Sequence, residues 1–134
     1  MNPFSIKIDT EWAELDLFGH INNVAFFFYI QKARIKFCEH IGLTTLNELN
    51  KLGFMVASSK CDYKKPLFYP DQIQISLSVA NIGNTSFQLS YEIKNSQLEV
   101  VANATDVLVV FDYEERSKKL ITEDLRKKLI QYRE

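Results

Sequence analysis

Asp16-Leu17-Phe18-Gly19-His20-Ile21-Asn22-Asn23 puts a carboxylate, a glycine and an imidazole directly ahead of an apolar run that begins at Val24. If that run is a helix, its first N–H groups have no intrahelical partner, and the helix dipole adds partial positive charge there. A carboxylate beside such a helix start can act as base or nucleophile on a group polarised by the free N–H groups. It can equally be a cap or a solvated turn residue, and spacing alone leaves these readings open. Gly19 lets the loop turn, so that acid and helix start can point at one atom. Glu14, two residues upstream of Asp16, is a competing acid. His20 and His40 are the only histidines, so no Ser/His/Asp set is visible, and no metal-ligand spacing occurs. Cys38 and Cys61 lack CxxC spacing, which points to neither a zinc site nor a disulfide framework and fits a reducing compartment.

The elements that must hold this loop follow from hydrophobic periodicity. Val24, Ala25, Phe26, Phe27, Phe28, Tyr29 and Ile30 leave no polar face in the first two turns, which predicts a helix buried on all sides. Phe26, Ile30, Ala33, Phe37 and Ile41 continue one stripe, with Asn22 or Asn23 as cap and Gly42 as the residue that ends the helix. Over 24–41 such a helix is roughly 27 Å long. Residues 44–50 read as further short turns. Alternation predicts strands over 4–8, 54–63, 72–79, 87–94 and 98–111, with Pro66 stopping the second and a shift near Asp106 read as a bulge in the last. A charged loop over 112–119 and a short amphipathic helix over 123–132 complete the chain. Alternating strands bury one face, and the 24–41 helix is the element able to cover it. The expected architecture is α+β, a five-stranded antiparallel sheet wrapped around one long buried helix, with 1–134 forming a single domain.

Composition narrows the partners. Sixteen basic against seventeen acidic residues in a chain of 134 give a net charge of −1, so no field of one sign recommends nucleic acid or a membrane surface. The N-terminal residues lack the basic head and apolar body of a signal peptide, and no apolar run approaches membrane-spanning length. The expectation is a cytoplasmic protein.

The loop motif resembles that of the hotdog-fold thioesterases of the 4-hydroxybenzoyl-CoA thioesterase type, in which an Asp stands three residues before a Gly, followed by His, an aliphatic residue and Asn-Asn. The likeness extends through Tyr29, Ala33 and Arg34, the strand-ending Tyr63-Lys64-Lys65-Pro66-Leu67, and Gly83-Asn84-Thr85-Ser86-Phe87. It implies a thioester hydrolase in which Asp16 attacks the thioester or activates water while the backbone N–H of Asn23 polarises the carbonyl. Gly19, His20, Ile21 and Asn22 would shape the pocket, His20 by holding the loop through a hydrogen bond. Ser58, Ser59 and Lys60 are expected to line the site if their strand runs beside the helix N-terminus. Some relatives carry a mid-helix acid for a polar ring substituent; the matching residue here is Gln31, and the phenylalanines before it suit an apolar acyl group as well as they suit packing. The resemblance further implies no cofactor, with coenzyme A entering as part of an acyl-CoA substrate, and a homodimer joined edge to edge with further pairing into a tetramer. Thioesters on acyl carrier protein and a non-catalytic acyl-thioester binding module are the alternatives. A dehydratase normally needs a His with an acid from the helix, which this chain lacks.

Overall fold

The structure is a computed structural model and describes residues 3–43 and 52–134. Strand β1 (Phe4–Asp9) leads through one turn of 3-10 helix (Trp12–Glu14) and the Asp16 loop into helix α1 (Asn23–His40). Strands β2 (Leu52–Tyr63), β3 (Gln72–Ile82), β4 (Ser86–Lys94) and β5 (Val100–Asp112) follow, then the two-residue β6 (Ser117–Lys118) and helix α2 (Glu123–Ile130). The turns expected over 44–50 lie outside the described residues.

The strands form one antiparallel sheet in the order β1-β3-β4-β5-β2, with β6 added beside the end of β5. This is the hotdog arrangement, with β6 as a short addition inside the charged loop. β1 and β2 flank α1 in sequence yet occupy opposite edges, so the helix must cross the face of the sheet between them. The strand faces turned toward it bury Ile73, Ile75, Leu77 and Val79 of β3, Phe87, Leu89 and Ile93 of β4, and Leu108 and Val110 of β5. Against them α1 buries Ala25, Phe26, Tyr29, Ile30, Ala33, Phe37 and Cys38, the stripe expected from a period of 3.6. Among the described residues no helix is long and apolar enough to cross a membrane.

Both ends of α1 are fixed by local chemistry. Asn22 is the N-cap, its side-chain oxygen accepting from the Ala25 N–H at 2.8 Å. At the other end Gly42 takes φ +80, the Leu43 N–H reaches Cys38 O at 2.8 Å and the Gly42 N–H reaches Glu39 O at 3.1 Å. That is the paired bonding of a Schellman stop, which favours glycine because a Cβ is strained at this φ.

Two expectations need correction. The helix is not buried on all sides: Val24, Phe27, Phe28 and Ile35 remain exposed, because a single sheet covers a single face of a helix. The bulge in β5 is not at Asp106. Inward and outward positions alternate without a break from Ala102 through Val110, and the register shift lies at the strand's start, between the Ile93–Ala102 and Lys94–Val100 pairs. A second shift falls opposite Val107 and Leu108, within β2 between Val56 and Ser58. Asp106 interrupts the apolar pattern because a buried polar group stands at an inward position, with no change of phase.

Candidate active site

The loop before α1 is built on Asp16. Its N–H bonds His20 O at 2.7 Å, and its carboxylate Oδ1 accepts from the N–H groups of Phe18 at 2.8 Å and His20 at 3.0 Å. Gly19 takes φ +82 and donates to Asp16 O at 3.3 Å, closing the turn. One carboxylate oxygen is thereby committed to the loop's own backbone. Oδ2 has no partner among the described residues, and the side chain is exposed. The loop is tied down on both flanks: the Ile21 N–H reaches Leu67 O at 2.8 Å, and Asn22 donates to Glu14 O through its N–H and its side-chain amide, each at 2.8 Å.

Asp16, His20, Ile21 and Asn23 form one wall of an open cleft of about 400 Å³, and Tyr63, Lys64, Lys65 and Pro66 form the other. Asn23 begins α1. The Ala25 N–H is taken by Asn22, whereas the N–H groups of Asn23 and Val24 have no partner among the described residues. A carbonyl oxygen docked there would meet free donors and the positive end of the helix dipole, in the cleft that the Asp16 carboxylate also lines. Lys65 is paired with Glu99 at 2.6 Å, while Lys64 has no ion pair among the described residues.

The remaining site expectations separate by position. The backbone of His20 holds the loop; its ring instead packs edge-on against Phe68, centroids 5.1 Å apart. Gly19 and Asn22 shape the loop and the helix cap without lining the cleft. Ser58, Ser59 and Lys60 are not among the cleft's lining residues either. The Tyr63 end of β2 reaches the helix start, its hydroxyl donating to Asn23 O at 3.1 Å. Ser59 sits four residues back along β2 and shares Asp106 with Arg34, which lies roughly 16 Å farther down α1 than Asn23 at the rise of a helix. Lys60 is paired with Asp62 at 3.6 Å and lines a separate depression on the outer face of the sheet.

Two side-chain constellations go beyond what sequence spacing indicated. Tyr29, in the second turn of α1, donates to Glu14 Oε1 at 2.5 Å, and the same oxygen accepts from the Glu11 N–H at 2.8 Å. Burial first, and then the Glu14 carboxylate, holds the Tyr29 phenol well above its ordinary range, so it remains a donor. Deeper in the core, the fully buried Asp106 accepts from Ser59 Oγ at 2.6 Å, Arg34 at 2.8 Å and the Tyr91 hydroxyl at 2.8 Å. Burial and that carboxylate raise the Tyr91 phenol well above its usual value. The signal for this second cluster was an acid in an apolar alternation, since an inward-facing charge requires a partner.

The family model described as thioesterase-like superfamily matches residues 10–129. The chain is 28% identical over 106 residues to the uncharacterized protein YsmA of Bacillus subtilis, covering 79% of this chain and 71% of that one. It is 25% identical over 126 residues to the long-chain acyl-CoA thioesterase FadM of Escherichia coli, covering 93% and 96%. Among solved structures, a protein of Pseudomonas aeruginosa strain PAO1 superposes with a TM-score of 0.88 at 27% identity, over 98% of this chain and 92% of that one.

Proposed function

The chain belongs to the thioesterase-like superfamily, and from that premise we propose that it hydrolyses acyl-CoA thioesters at the cleft between the Asp16 loop and the end of β2. The observation that carries this reading is that Asp16, with its Oδ2 unpaired, and Asn23, with its N–H free at the start of α1, line one open cleft. In the proposed reaction the thioester carbonyl oxygen docks at the Asn23 N–H. Asp16 either attacks the carbonyl carbon or takes a proton from the water that does. In both routes negative charge grows on the carbonyl oxygen, where preorganised donors contribute most because they need no reorganisation as the charge develops. Collapse of the tetrahedral intermediate expels the thiolate. The water route then releases the acid directly, whereas the nucleophilic route leaves an Asp16 acyl anhydride that a water hydrolyses to the acid and free Asp16. Lys64 lines the cleft with no ion pair among the described residues, suited to the negatively charged carrier of the acyl group.

The proposed working unit is a homodimer. β2 is an edge strand whose Met55 and Val56 are exposed, and Val24, Phe27 and Phe28 of α1 are exposed as well. Unpaired edge groups beside exposed apolar side chains favour pairing with a second copy. A panel of aliphatic, aromatic and hydroxylated acyl groups, each on CoA and on acyl carrier protein, tests the reading. Release of free thiol from CoA substrates is the expected outcome. Turnover on the carrier protein alone would reassign the substrate, and no turnover on any thioester would favour a binding module.

A further inference from the structure

Tyr63 closes β2 and stands against the start of α1. Its ring meets Phe26 edge-on, centroids 5.1 Å apart and planes at 86°, and its hydroxyl donates to the Asn23 carbonyl oxygen at 3.1 Å. That carbonyl and the Val24 N–H belong to the same planar peptide group. In an α-helix the C=O end of each peptide points along the axis toward the C-terminus and the N–H end points back, so the Val24 N–H projects from the N-terminal end of α1. It has no partner among the described residues, and Asn23 beside it lines the cleft with Asp16. A hydroxyl bonded to the carbonyl fixes the plane of this peptide. It also draws charge toward the oxygen, which makes the N–H at the far end a better donor. Burial, followed by the neighbouring Cys61 thiol, raises the Tyr63 phenol above its ordinary value, so the hydroxyl keeps its proton at neutral pH.

We propose that Tyr63 is a positioning residue: it fixes and polarises the Asn23–Val24 peptide, so that the Val24 N–H joins that of Asn23 as a second donor to the developing oxyanion. This rests on the hydrolytic reading of the cleft given above. Tyr63 need not touch the substrate to act in this way. Its hydroxyl works through the peptide, and its ring contact with Phe26 holds the hydroxyl in place.

The test compares the unmutated protein, Tyr63→Phe and Asp16→Asn on an acyl-CoA substrate that the unmutated protein turns over. The Val24 amide resonance is followed in parallel by 15N NMR. Phenylalanine keeps the ring packing and removes only the hydroxyl. Tyr63→Phe is expected to lower kcat roughly tenfold, the scale of one lost hydrogen bond, with KM and thermal midpoint held. The Val24 amide should shift more than amides equally far from residue 63. Turnover by Tyr63→Phe equal to that of the unmutated protein, while Asp16→Asn abolishes it, would overturn the role of Tyr63 and leave the hydrolytic reading standing. A raised KM or a lowered thermal midpoint with kcat intact would overturn it also, as the mark of plain packing. Full turnover by Asp16→Asn would instead remove the hydrolytic reading, and this inference with it.

Discussion

Asp106 occupies a position in β5 where the alternation calls for an apolar side chain, and it is fully buried. A buried carboxylate is tolerated when it is paired and its lone pairs are filled, which Arg34, Tyr91 and Ser59 accomplish together. Asp106→Asn leaves the Arg34 guanidinium facing a neutral group in the core. The expected loss is about 3–5 kcal/mol, the scale of breaking a buried pair, read as a lowered midpoint of urea unfolding. Tyr91→Phe removes one hydrogen bond to the carboxylate and should cost about 1–3 kcal/mol. Asp106 also marks where reading from sequence stopped. The acid was visible in the alternation, but a period of two carries no information about a partner on a helix 72 residues away. On alternation alone the interruption looks the same as a bulge.

At the scale of elements, α1 was legible because its stripe, cap and stop all lie within the segment. Phe26, Ile30, Ala33, Phe37 and Ile41 are buried, Asn22 caps and Gly42 terminates. What sequence could not supply was the angular extent of burial, since apolar residues on the outer face look the same as those against the sheet. The latch from Tyr29 to Glu14 was illegible for a related reason, as both residues suit other roles locally. Asn22→Ala removes the cap on Ala25 and the side-chain bond to Glu14 O together. A stability loss of about 0.5–2 kcal/mol is expected from the cap alone, measured by thermal unfolding. Because the same residue steadies the Asp16 loop from behind, turnover should fall as well.

For the whole molecule, the sheet order leaves β2 at an edge. Val24, Phe27 and Phe28 expose apolar surface at the cleft end of α1, and Met55 and Val56 expose it toward the other end of β2. Covering it with a second copy would remove that surface from water at roughly 25 cal/mol per Å². Phe28→Asp combined with Met55→Lys should convert a dimer into a monomer by light scattering at micromolar concentration, with lower activity. A monomer for the unmutated protein at that concentration would contradict the homodimer. The position of Ser58–Lys60 belongs to this scale too. Strand order and helix crossing decide which part of β2 meets the helix start, and it is Tyr63, whose ring and hydroxyl lie against Phe26 and Asn23.

Asp16 supplies the carboxylate of the proposed reaction, and Asp16→Asn isolates its chemistry. The asparagine side-chain oxygen can still accept from the Phe18 and His20 N–H groups, now held at 2.8 and 3.0 Å, so the loop keeps its shape while the carboxylate is lost. Hydrolysis of the preferred acyl-CoA should fall by about a hundredfold or more, while affinity for a non-hydrolysable thioester analogue stays within twofold. Turnover equal to that of the unmutated protein would show that the carboxylate does no chemistry and would contradict the account at its centre.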